Sequence, residues 1–281
     1  MNYSESVISF SCDEERLVGI ASIPAEPTDC GVVIVVGGPQ YRIGSHRQFV
    51  LLARHLAQQG ITTLRFDYRG MGDSGGTVRD FNQIDSDLRA AVDALQITNQ
   101  KLKRIILWGL CDAASASLFY AHKDPRITGL VLANPWVRTI AGEAQVYLSH
   151  YYRTRVFNVS FWKKILAGQF DFFGSLSSFV VTLKNAVFKP SSEKIGPELP
   201  LREKMHDAWG RFAGRVLVLI SGEDLTAKEF TDMVASSDEW RTLLDDSRVT
   251  RHGLIKANHT FSRDDWSNEV SIVTANWIKA L

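Results

Sequence analysis

Residues 105–117 read IILWGLCDAASAS: an apolar run meets a glycine, then a lone thiol, then a series of small residues. The pattern Gly109-x-Cys111-x-Ala113 suits a strand that turns sharply into a helix. Small residues are needed two before and two after the turning residue, because the strand and helix backbones approach closely there. A thiol at that turn projects from the end of a sheet. The helix N-terminus behind it favours thiolate and offers backbone N–H groups to an oxyanion. The plainer alternative is that Cys111 is one more buried small hydrophobe, as most free cysteines are.

The surrounding chain supplies the sheet. GVVIVVGGPQ (31–40) is a continuous apolar run closed by glycines, the signature of a strand buried on both faces. Ser45 with Gln48 reads as a capping box, and Phe49, Leu52, Ala53 and Leu56 then share a helical face up to Gly60. The alternation recurs: a strand at 61–68, a helical stripe through Ile84, Leu88, Val92 and Leu95, and strands at 104–110, 127–135 and 215–224. A short strand around Val249–Leu254 and a terminal helix containing Val270, Val273, Trp277 and Ile278 follow. Before all of this, the first 26 residues suit two antiparallel strands. The expected fold is therefore α/β, a mostly parallel central sheet flanked by helices with right-handed crossovers.

Residues 140–210 break the rhythm with many aromatics and no glycine-closed strand. A structureless loop of that length is unexpected, so the segment reads as a helical cap inserted between a first core part (1–139) and a second (211–281). Ligands in such sheets bind beyond the carboxyl ends of the strands, where this insertion begins. The cap either shapes an apolar pocket or merely packs.

Composition narrows the partners. Lys and Arg total 32 against 31 Asp and Glu, a net charge of +1, which gives no electrostatic reason to expect nucleic acid or an acidic membrane. Three cysteines, Cys12, Cys30 and Cys111, are too few and too irregularly spaced for a disulfide framework or a metal site. No cofactor is called for. The N-terminus lacks the basic start and apolar core of a leader, and no run reaches the roughly 18 apolar residues of a membrane span. The expectation is a cytoplasmic protein acting on a small molecule, with its oligomeric state open.

A nucleophile needs a base and an orienting acid. Asp224 ends the strand VLVLISGED, and His259 lies in KANHTF just past the last strand, so both fall on the rim that carries Cys111. Glu223 is placed less well to turn inward, and Asp245 and Asp246 read as solvated helix-end charges. His252 sits within the last strand, His46, His55 and His122 on helices, and His150 and His206 in the insertion.

With these residues in place the chain resembles an α/β-hydrolase over essentially its whole length: VVGGPQ, the DYRGMGDSGG turn at 67–76, the elbow, the Asp224 loop and the His259 loop occur in that order. More narrowly, VVGGPQYRIGSHRQFVLLARHLA, LRFDYRGMGDS, GLCDAASA and NPWVR are similar to the family named exosortase A system-associated hydrolase 1. That resemblance implies a link to PEP-CTERM protein sorting and exopolysaccharide production. The usual nucleophile is serine, and Cys111 replaces it here, as in dienelactone-hydrolase-like enzymes. The usual His-Gly after the first buried parallel strand is replaced by GGPQ. Pro39 has no N–H to give, so Gln40 or Gly38 must supply the oxyanion donor beside the N–H of Asp112. The DYRGMGDS turn reads as structural, with Gly70 and Gly72 meeting backbone demands.

The chemistry these residues point to is acyl transfer. Cys111 attacks an ester, thioester or lactone, His259 handles the proton, Asp224 orients it, and water releases the acid. An alcohol or amine acceptor would make the same machinery an acyltransferase. Arg42 and Arg138 lie beyond strand ends as candidates for an anionic substrate group, with structural salt bridges as the alternative. The competing class is a non-catalytic binding protein on the same scaffold. A weaker reading places the apolar stretch Phe170–Phe188 at a membrane surface, although it lacks a basic polar face.

Overall fold

The computed structural model describes residues 2–38, 40–137 and 200–281. Residues 1–137 and 201–281 form one compact unit. Its strands are β1 (Tyr3–Cys12), β2 (Glu15–Pro24), β3 (Cys30–Val35), β4 (Thr62–Asp67), β5 (Arg104–Leu110), β6 (Ile127–Ala133), β7 (Arg215–Glu223) and β8 (Val249–Asn258). The described helices are α1 (Gln48–Gln58), α2 (Asp85–Thr98), α3 (Asp112–Ala121), α4 (Leu201–Arg211), α5 (Leu225–Ala235), α6 (Asp238–Leu244) and α7 (Asp264–Lys279).

The strands form a sheet in the order β1-β2-β4-β3-β5-β6-β7-β8. β1 and β2 pair antiparallel, as do β2 and β4, while every later neighbouring pair is parallel. The apolar runs explain this layering. Val33 and Val35, Ile105 and Leu107, and Leu130 and Leu132 face one core with Leu88, Leu95, Leu118 and Phe119; Val32 and Ile34, Ile106 and Trp108, and Val131 face the other with Phe49, Leu56 and Trp277. Both faces of the central strands are dry, which is why their sequences show no polar alternation.

Three expectations are corrected. Ser45 does not open α1: Ser45–Arg47 is a single 3-10 turn, His46 and Arg47 have φ of 53° and 62°, and no side chain caps the helix. The left-handed residues put Gln48 at the first helical position, out of capping-box register. β8 also runs four residues past Leu254, pairing Glu223 with Asn258 beyond a register shift. Finally, Leu201–Arg211, read with the cap, is helix α4 of the core unit. Met205, Ala208, Trp209 and Phe212 lie on one stripe and are buried with Phe230 and Trp240, the two indoles edge to face at 6.1 Å. The rest of the expected cap lies outside the described residues, as do Arg138 and the Phe170–Phe188 stretch.

Arg42 is held by the scaffold. Its side chain is 11% exposed and ion-paired with Asp67, itself 0% exposed, and with Asp73 at 2.8 Å. Asp67 also accepts the Arg42 N–H at 2.8 Å and the Asp73 N–H at 3.1 Å. These bonds fold the DYRGMGDS turn onto the segment after β3, and Gly72 lies so close to the Asp67 carboxylate that a Cβ there would come within 2.2 Å of it. Of the two expectations for Arg42, a substrate contact or a structural salt bridge, the structure shows the salt bridge: its guanidinium neutralises a buried carboxylate. Arg42→Met is expected to destabilise the protein by about 3 kcal/mol, because it strands that charge. KM for any acyl substrate is expected to stay close to wild type. Urea titration and steady-state kinetics check both halves.

Candidate active site

Cys111 stands between β5 and α3 with φ 63° and ψ −124°, a conformation that L residues rarely adopt. Its N–H donates to Ala133 O at 2.9 Å, and its carbonyl accepts from Ala114 N at 3.1 Å and Trp136 N at 3.2 Å. The strain is therefore held by main-chain bonds on both sides. The small residues are required as the spacing suggested: a Cβ at Gly109 would lie 2.5 Å from Ala113 O.

The Asp224 side chain is 7% exposed and caps α5, accepting from Thr226 N at 3.2 Å and Ala227 N at 3.0 Å. Its other contact is His259, whose Nδ1 lies 2.8 Å from Asp224 Oδ2. With Nδ1 donating there, Nε2 is the nitrogen left to accept a proton. Burial raises the Asp224 pKa, but His259 and the two helix N–H groups outweigh it and hold the carboxyl below its ordinary value.

A folded-state pKa below the unfolded one gives stability that is complete above the ordinary carboxylate value and is lost as pH falls through the depressed value. The stability gap between wild type and Asp224→Asn is therefore expected to be constant near neutrality and to shrink below about pH 4. Urea unfolding across that range measures it; a gap that widened on acidification would contradict the assignment.

Several rival residues are exposed or paired on the surface. Glu223 is exposed. Asp245 pairs with Arg251 at 3.1 Å and Asp246 with Arg248 at 2.7 Å. His252 pairs with Glu269 at 2.8 Å on the surface. Burial lowers the pKa of His55 and of His122.

The proposed oxyanion donors are arranged unexpectedly. Gln40 N donates to Gly38 O at 2.8 Å, and Gly38 N donates to Asp112 Oδ2 at 2.9 Å. Asp112 Oδ1 accepts Ala113 N at 2.9 Å. A Cβ on Gly37 would come within 2.2 Å of that carboxylate, so the glycine makes room for it. Burial raises the Asp112 pKa against the pull of these N–H groups. Sequence reading used Asp112 only for its backbone and gave no sign that its side chain reaches across to the segment after β3.

Sequence reading also missed Asn134. It is wholly buried at the end of β6 and hydrogen-bonds to Ser221 and to the His259 carbonyl. The available signal was a polar residue between an apolar strand and Pro135. Among the described residues no group of three His, Cys, Asp or Glu is placed to hold a metal ion, and no helix is long and apolar enough to cross a membrane.

A family model described as serine aminopeptidase, S33, matches residues 28–166. Among solved structures, an esterase of Pyrococcus furiosus superposes with a TM-score of 0.69 at 16% identity, covering 99% of this chain and 91% of that one. The Butyrivibrio proteoclasticus protein Est1E, solved with ferulic acid bound, gives 0.63 at 15%, covering 97% and 98%. A dienelactone hydrolase of Anabaena variabilis gives 0.62 at 16%, covering 100% and 99%. No curated protein matches the sequence significantly.

Proposed function

We propose that this chain, whose fold is that of the α/β-hydrolases, is a carboxylic ester or thioester hydrolase that works through Cys111, His259 and Asp224. The observation that carries the reading is the Asp224–His259 hydrogen bond at 2.8 Å. It leaves Nε2 as the base on the sheet rim where Cys111 sits in its strained turn. The family model and the esterases among the structural neighbours support the hydrolase class.

In the proposed reaction, His259 Nε2 takes the Cys111 proton as the sulfur adds to the acyl carbonyl carbon. The oxyanion is held at the N-terminus of α3 by the Asp112 N–H, and a second N–H comes from the segment after β3. Gly38 is the better of the two candidates there, because its present acceptor is a side chain able to rotate away. The Gln40 N–H is closed within its own turn. The imidazolium returns its proton to the leaving alcohol or thiol, leaving an acyl thioester on Cys111. Water then adds, losing its proton to His259, and the acid departs as the thiol is restored. A bound alcohol or amine in place of water would give acyl transfer.

The Asp112 carboxylate on Gly38 N–H is the one observation that favours the second reading, a ligand-binding protein on a hydrolase scaffold. Incubation with an activated short-chain acyl ester, followed by intact mass and product release, separates the two. The hydrolase reading expects an acyl adduct or turnover. Neither of these, together with a Cys111 inert to iodoacetamide, would favour binding alone. The cytoplasmic reading rests on the sequence, whose three irregularly spaced cysteines call for no disulfide framework. The tie to exosortase and exopolysaccharide systems rests on the sequence motifs, and loss of exopolysaccharide on deletion of the gene is its test.

A further inference from the structure

β6 lies between the strand that leads to Cys111 and the strand that leads to Asp224, with the His259 strand next. The turn that leaves β6, Ala133–Trp136, touches both halves of the proposed site. Toward the nucleophile, Ala133 O receives the Cys111 N–H and Trp136 N–H reaches Cys111 O. Ser115 of α3 further ties Trp136 O at 2.7 Å. Toward the base, Asn134 is 0% exposed and left-handed at φ 44°, and its own N–H bonds Leu219 O at 2.9 Å.

Both ends of the Asn134 carboxamide are engaged. Oδ1 accepts Ser221 N at 2.8 Å, and Nδ2 donates to Ser221 Oγ at 2.9 Å and to His259 O at 3.0 Å. Ser221 Oγ donates onward to Asn258 O at 2.9 Å. The amide has only one satisfactory orientation, because a backbone N–H must meet its oxygen and a carbonyl must meet its nitrogen. Asp224 orients the imidazole ring, but that bond does not locate the backbone carrying it.

We infer that Asn134 is a positioning residue: from the turn that grips Cys111 on both sides, it holds the His259 carbonyl and so sets where the imidazole stands relative to the Cys111 sulfur. The inference rests on the hydrolase reading. A single turn of four residues then governs the relation of nucleophile to base, and a shift of about 1 Å in that relation costs up to about 100-fold in rate.

The experiment follows iodoacetamide alkylation of Cys111 against pH, together with kcat and KM for an activated acyl ester, in wild type, Asn134→Asp and Asn134→Gly. Asn134→Asp keeps the shape and the acceptor for Ser221 N but loses both donors. Asn134→Gly keeps the positive φ and loses the carboxamide. Both are expected to lower kcat about 10- to 100-fold with little change in KM. Both should also change the pH profile of Cys111 alkylation relative to wild type. Ser221→Ala, which loses the Asn258 bond but spares the His259 bond, is expected to alter the alkylation profile less than either Asn134 variant. A wild-type profile in folded Asn134 variants overturns the inference, and so does failure of both variants to fold, which would make Asn134 a determinant of the fold alone. Wild-type protein inert to both ester and iodoacetamide overturns instead the hydrolase reading beneath it.

Discussion

Cys111→Ala is expected to abolish the acyl adduct and to lower kcat/KM by about 10⁴-fold or more, with thermal stability close to wild type. The activity half follows from the division of labour in a nucleophile–base pair. Without the sulfur, His259 has nothing to deprotonate, and only substrate binding and oxyanion stabilisation remain. The stability half follows from the backbone. Alanine keeps a Cβ at φ 63°, so the strain stored in the turn is unchanged and only one half-buried sulfur is lost. Cys111→Gly separates the two effects. It is as inactive as the alanine variant, yet it is expected to be more stable than that variant by about 1 kcal/mol, because glycine adopts the conformation without strain. Intact mass, steady-state kinetics and urea unfolding of the two variants test this together. An alanine variant that still turns over ester would remove Cys111 from the mechanism.

Gly109→Ala is expected to be strongly destabilising. The new Cβ would lie 2.5 Å from Ala113 O and 2.6 Å from both Ala113 C and Ala114 N. All three are main-chain atoms in the first turn of α3, so no side chain can swing aside. The helix must move off the strand, and with it the Asp112 N–H and the main-chain bonds that hold Cys111. A cost of about 3 kcal/mol or more is expected, at the upper end of overpacking penalties. For a chain of this size that corresponds to a Tm lower by roughly 6–12 °C. Calorimetry with parallel alkylation of Cys111 checks it, and a Tm within about 2 °C of wild type would show that the turn is looser than its geometry.

The sequence by itself determined the sheet and the elbow. The apolar runs 31–36 and 105–110, closed by glycines and alternating with helical stripes, have no solvated face to accommodate and so read as central parallel strands. Gly109, Cys111 and Ala113 specify the turn through local sterics alone, and Asp224 and His259 were legible because strand ends in this topology share a rim. The tertiary structure decided what no local pattern records, namely which polar group each buried donor and acceptor meets. For Arg42 the chain left substrate contact and salt bridge open, and the fold pairs it with Asp67, 25 residues away in sequence. The Gly38 N–H, one of two candidate oxyanion donors after β3, meets a carboxylate 74 residues on. Asn134, noted in the chain only within NPWVR, reaches His259 across 125 residues. Burial penalises a polar group that lacks a partner, and the partner it meets is set by how strands order across the sheet, a choice made by the whole chain and invisible in any stretch of it.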